Sequence, residues 1–122
     1  MDGETDRVTY QGTDQGTGRE LVARVLRPGA EVDLVGRLDG RTAPLLRETL
    51  QTCVDEGEGD LLLHVGSLEI WDAAGLGVLV GAHRRARRAG RRVVLTEVPP
   101  RHLRLLKATR LHRLFVVEPR VA

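Results

Sequence analysis

The chain has 122 residues, with 19 Lys and Arg against 17 Asp and Glu and a formal charge of +2. That length suits one domain around one core, and so small a positive excess requires neither a nucleic-acid nor a membrane partner. Aromatic residues make up only 2%, so the core falls to Leu, Val and Ala. The single cysteine, Cys53, excludes an intramolecular disulfide and a thiol metal site.

Met1–Arg19 is rich in Gly, Thr, Asp and Gln and reads as a flexible tail, with a short extended piece at Val8-Thr9-Tyr10. It has no apolar core of the kind a signal peptide carries. No apolar run in the chain reaches membrane-spanning length. A soluble, cytoplasmic protein is expected, with its domain over residues 20–122. The glycines at 12, 16 and 18 lack the Lys-Ser/Thr ending of a phosphate loop and follow no strand.

Leu21–Leu26 and Glu31–Val35 read as strands joined by an Arg27-Pro28-Gly29 turn, which predicts a hairpin. Gly36–Gly40 is a loop. Thr42–Glu56 reads as a helix, capped by Thr42, with Pro44 in its first turn and Gly57 as its stop. Leu46, Leu50, Cys53 and Val54 form its inner face. Asp60–Val65 is a strand whose run Leu61-Leu62-Leu63 suits a central position covered on both faces. Gly66-Ser67 reads as a turn.

Asp72 is placed to cap a helix over Ala73–Ala89, which opens on small residues and stops at Gly90. Leu76, Leu79, Val80, His83 and Ala86 fall on one face, and Arg84, Arg88 and Arg91 on another. Gly75 and Gly77 leave backbone bare for a close approach. Arg91–Glu97 is a strand, Arg101–Thr109 a short helix with Leu103 and Leu106 inward, and Leu114–Glu118 a last strand or an extended tail. This alternation predicts an α/β fold with parallel pairs and covering helices.

No catalytic constellation is legible. His64, His83, His102 and His112 lack metal-ligand spacing, and Ser67, the only serine, lies in no nucleophile elbow. The glycines at 75, 77 and 81 miss the dinucleotide spacing. The arginine run has charge without interleaved aromatics, so it reads as a solvated helix face and not as a nucleic-acid patch. Neither enzyme activity, nor a cofactor, nor a metal site is expected.

The segment Leu61–Leu79 resembles the central motif of the STAS domain (sulfate transporter and anti-sigma factor antagonist), in which a strand leads through a loop into Asp-Ser-Ser/Thr-Gly-Leu-Gly and a helix. Here the motif reads Asp72-Ala73-Ala74-Gly75-Leu76-Gly77. The resemblance continues through Arg84–Gly90, Val93-Val94-Leu95 and Leu111–Phe115. Gly36-Arg37-Leu38-Asp39 is similar to the family's Gly-x-Leu-Asp turn, so the match covers about Leu21–Glu118. His64 stands where STAS sequences often carry an acidic residue.

The resemblance implies a single domain with a small mixed β-sheet flanked by α-helices. It also implies a protein-binding module of the anti-sigma factor antagonist type. Its partner would be an anti-sigma factor, often a serine kinase, whose capture frees a sigma factor in bacterial transcription regulation by partner switching. The partner surface would surround Asp39, Asp72, Ala73, Ala74 and Gly75, although turn chemistry explains Asp39 equally well. Ala73 takes the place of the family's phosphoacceptor serine, and Ser67, six positions earlier, does not replace it. A monomer when unbound is expected. Two other readings stand beside this one: a STAS regulatory subunit or scaffold of a transporter or signalling complex, and a weak nucleotide-binding domain using the helix start at Ala73.

Overall fold

A computed structural model describes residues 8–11, 21–70 and 72–121. Its strands are β1 (Val8–Gln11), β2 (Leu21–Arg27), β3 (Glu31–Leu38), β4 (Leu61–Ile70), β5 (Val93–Val98) and β6 (Val116–Pro119). The helices are α1 (Ala43–Glu56), α2 (Ala73–Arg88) and α3 (Pro100–Ala108), with a 3₁₀ turn at Leu111–Arg113. The sheet runs in the order β1-β2-β3-β4-β5-β6. Pairing is antiparallel from β1 to β3 and parallel from β3 to β6. The mixed α/β architecture expected from the alternation is therefore present. The extended piece at Val8-Thr9-Tyr10 is strand β1, laid against β2. The remainder of the stretch read as a tail lies outside the described residues.

Each crossover through α1, α2 and α3 moves one strand further in the same direction. Right-handed connections of that kind place every helix on the same face. The burial pattern agrees. Leu21, Ala23, Val32, Leu34, Leu61, Leu63, Val93 and Leu95 join Leu46, Leu50, Val78, Leu79, Ala82, Leu106 and Phe115 in one core cluster. The alternate residues Val22, Leu26, Leu62 and His64 are only half-buried. This corrects the expectation that the Leu61–Leu63 run is covered on both faces. Leu61 and Leu63 face helices, whereas Leu62 faces away from them.

The turn expected at Gly66-Ser67 is instead part of β4. Asp33 pairs with His64 and Val35 with Ser67, so β4 carries one extra residue between them. The buried positions change phase there, from Leu61, Leu63 and Val65 to Leu68, as a bulge requires. β4 then outruns β5, whose pairing with it ends at His64–Thr96. The freed carbonyl of Leu68 accepts a hydrogen bond from Nε2–H of the buried His102 on α3.

The helix-free face carries a polar chain across four strands, β2 to β5. His64 joins Thr96 on one side and Glu31 on the other, and Arg27 Nε donates to Glu31 at 2.9 Å. The hydrogen bond from His64, then that from Arg27, holds the Glu31 carboxyl below the ordinary value of 4.5. Burial lowers His102 below 6.5 despite its carbonyl partner. Burial, followed by Arg87 and Arg84, does the same to His83.

All three groups have depressed folded values, so each contributes stability above its unfolded value and loses it as pH falls. We expect thermal melts to weaken first below 6.5, from the two histidines, and again below 4.5, from Glu31. His102→Asn reduces the first step. A melting temperature that stays flat down to the carboxylate range in the unsubstituted chain would contradict this assignment.

Candidate functional site

The site is built where the C-terminal end of β3 meets the start of α2. After β3 the chain makes a tight turn. The Asp39 side chain accepts from the backbone N–H groups of Arg41 at 2.9 Å and Thr42 at 3.3 Å. The Ala43 N–H bonds back to the Asp39 carbonyl at 2.8 Å. Asp39 therefore closes the turn that leads into α1, whose expected side-chain cap at Thr42 is not formed. The Thr42 hydroxyl donates to the Arg37 carbonyl at 2.9 Å and accepts from the Asp39 N–H at 3.1 Å, closing the turn from inside.

Asp72 caps α2 as expected. Its backbone is extended, and Oδ1 accepts from the Gly75 N–H at 3.0 Å. The second oxygen has a different task. Oδ2 accepts from the Gly40 N–H at 3.1 Å, across 32 positions of sequence. One carboxylate thus caps a helix and ties the β3–α1 turn to it. Gly40, Arg41, Asp72, Ala73 and Ala74 are exposed around that link, with Asp39 half-buried beneath.

Gly75 differs from the other four residues assigned to this surface. It is buried, and a Cβ there would stand 2.8 Å from the Leu38 carbonyl oxygen and 3.0 Å from its Cγ. It lets the helix start touch the end of β3, and its contribution to the surface is indirect. Gly77, read alongside it as bare backbone, faces open space.

Chemically the surface offers a hydrogen-bonded double loop with small side chains at its tip. The Asp72 carboxylate occupies the helix N-terminus, so an incoming phosphate meets a negative charge as well as the helix dipole. This weighs against the nucleotide reading. Among the described residues no group of three or more His, Cys, Asp or Glu is placed to hold a metal ion. Nor, among the described residues, is any helix long and apolar enough to cross a membrane. Ser67 lies exposed within β4.

Gly40 and Arg41 were not singled out from sequence, although Gly40 follows the Gly-x-Leu-Asp turn directly. Replacing Asp72 by alanine removes a helix cap and an interloop tie. We expect a loss of about 1–2 kcal/mol in urea melts. Asp72→Asn, which keeps an acceptor oxygen, loses less. Equal losses for both variants would show that charge, not hydrogen-bond geometry, holds the two loops.

The protein is a small α/β domain that presents two loops tied by one carboxylate. Comparison with known proteins gives the family. A family model described as "Mlab, STAS domain" matches residues 23–118. The anti-sigma-B factor antagonist of Bacillus subtilis (strain 168) is 32% identical over 81 residues, which is 66% of this chain and 73% of that protein. The chain belongs to the STAS domain family.

Solved structures share the fold. An anti-sigma-factor antagonist (STAS) domain protein from Planctomyces limnophilus matches with a TM-score of 0.65 at 14% identity, over 80% of this chain and 88% of that one. An anti-sigma factor antagonist from Mycobacterium paratuberculosis matches with a TM-score of 0.62 at 22% identity, over 93% and 87%.

Proposed function

We propose that this chain is an anti-sigma factor antagonist that binds its partner through the tied loops. The surface comprises Asp39, Gly40, Asp72, Ala73 and Ala74, with Gly75 setting the seat of the helix beneath. The partner is an anti-sigma factor of the serine kinase type, and its capture releases a sigma factor in the cytoplasm. The chain acts by binding and not by catalysis, and is a monomer when unbound. The observation that carries this reading is the Asp72 carboxylate, which holds the Gly40 and Gly75 N–H groups at once and so presents two loops as one rigid surface.

Phosphorylation at the helix start would add about −1.5 to −2 charges beside Asp72. Ala73 and Ala74 have no hydroxyl, so that switch is closed and the chain stays in its binding state. A second reading follows from the same alanines. A chain that cannot be switched suits a permanent STAS subunit of a larger signalling or transport assembly.

The test is incubation with the cognate anti-sigma kinase and ATP, followed by mass spectrometry and a binding titration. An unmodified chain that still binds is the expected result, and Ala73→Ser then accepts phosphate and loses affinity. Stoichiometric phosphate on Ser67 or a threonine, with loss of binding, would overturn the closed switch. Failure to bind any anti-sigma kinase, with recovery in a stable multiprotein assembly, would favour the second reading.

A further inference from the structure

The opposite end of α2 carries a surface that the tied loops do not use. Arg85 donates to Asp55 at 3.0 and 2.8 Å, and Arg92 to Asp60 at 3.1 and 3.0 Å. Arg91, read from sequence as part of the exposed stripe, is buried instead. Arg84, Arg87, Arg88 and Arg113 are exposed and have no carboxylate partner among the described residues. These four converge on two adjoining grooves of about 260 and 500 Å³, and no acidic residue lines either one.

The grooves share an apolar wall. Leu114 is 37% exposed, one of the few large apolar side chains so exposed among the described residues. His83 lies beside it, its ring packed edge-on against the buried Phe115 at 5.7 Å between centroids. Burial and the neighbouring arginines disfavour a charge on His83, so the positive charge of the grooves belongs to guanidinium groups. Guanidinium is the planar fork that pairs with carboxylates two oxygens at a time.

We propose that this arginine groove is a second docking surface, for an acidic peptide segment of a partner protein that carries an apolar side chain among its carboxylates. Charge complementarity sets the sign, and Leu114 sets the need for the apolar side chain. Shape favours a peptide over a duplex. α2 packs against α1 on one side and neighbours the Leu114 segment on the other, so its arginine ridge lies among grooves of side-chain size. Among the described residues no exposed aromatic side chain offers a stacking platform for single-stranded bases. Arg84–Arg88 begin 11 residues beyond Ala73, about 16 Å along the helix axis. The two surfaces can therefore be occupied together, and this inference does not depend on the anti-sigma reading.

The test is fluorescence anisotropy with three labelled probes: a glutamate–leucine copolymer of about 20 residues, a polyglutamate of the same length, and a duplex DNA of similar charge, all near physiological salt. The copolymer binds tightest. Arg84→Glu/Arg88→Glu weakens it by about tenfold or more, since each reversal replaces an attraction with a repulsion. Leu114→Ser weakens the copolymer and leaves polyglutamate unchanged. Melting curves confirm that the exposed substitutions leave the fold intact. Duplex DNA binding tighter than the copolymer would overturn the proposal in favour of nucleic acid. No saturable binding, or binding indifferent to the Arg84/Arg88 reversal, would overturn it outright.

Discussion

Arg91→Ala is expected to lower stability by about 3 kcal/mol, among the largest losses available to a single substitution outside the hydrophobic core. The Arg91 side chain enters the junction between the end of α1 and the β2–β3 turn, and the residue is only 5% exposed. Its Nε donates to the Gly59 carbonyl at 2.8 Å, and one Nη to those of Cys53 and Val54 at 3.0 and 2.8 Å. The other Nη reaches the Gly29 carbonyl. Cys53 and Val54 lie in the last turn of α1, whose carbonyls have no partner within the helix and favour a cation. α1 has no basic residue of its own there.

The junction is tight enough that Gly57 and Gly29 meet backbone to backbone. A Cβ on Gly57 would fall 2.2 Å from the Gly29 oxygen. Truncating Arg91 leaves the carbonyls of Cys53, Val54 and Gly29 without the donor that holds them together. Arg91→Lys retains the charge but not the fork, so it recovers only part of the loss. Urea melts of the two variants check the account. A loss below about 1 kcal/mol for the alanine variant would mean that water replaces the guanidinium at little cost.

Gly75→Val is the second large effect, and it reaches function as well as stability. Its Cβ would sit within 3.0 Å of both Leu38 O and Leu38 Cγ. The backbone oxygen cannot swing aside as a side-chain end does. The start of α2 must lift from β3, at a cost of about 3 kcal/mol. Lifting it also draws Asp72 away from Gly40, which separates the two loops and abolishes partner binding. Gly77→Ala is the control. Nothing lies within 4 Å of its added Cβ, and alanine is the better helix former, so stability rises by up to about 1 kcal/mol. A Gly75→Val chain that melts like the unsubstituted protein would show that the contact with Leu38 relaxes freely.

Local signals carried most of the fold. The cap at Asp72, the stop at Gly90 and the apolar runs at Leu61–Leu63 and Val93–Leu95 are visible because each rests on neighbours in sequence. Features that depend on distant partners were less legible. Gly66-Ser67 looks like a turn, and only pairing with β3 keeps it within β4 as a bulge. The inner face of α2 runs through Gly75, Val78, Leu79, Ala82 and Ala86; it shares Leu79 and Ala86 with the face that hydrophobicity suggested and is rotated away from Leu76, Val80 and His83. Small residues are what the closely packed α1 admits.

Arg91 looked like one more basic residue in a run, since nothing local distinguishes a buried guanidinium from a solvated one. The site was half legible. The Asp72 motif and Asp39 stood out singly. Their connection through the Gly40 N–H spans 32 positions and has no signature in the chain itself.

The central claim is that the tied loops at Asp39–Gly40 and Asp72–Ala74 form the partner surface. The most direct measurement is an NMR titration of the isotope-labelled chain with its anti-sigma factor, following every backbone amide. The account predicts that the largest changes fall on Gly40, Arg41, Ala73, Ala74 and Gly75, with Asp72→Ala weakening the interaction. Changes confined to Arg84–Arg88 and Leu114, or to the helix-free face around His64 and Leu62, with the amides of Gly40 and Ala74 unmoved, would contradict it.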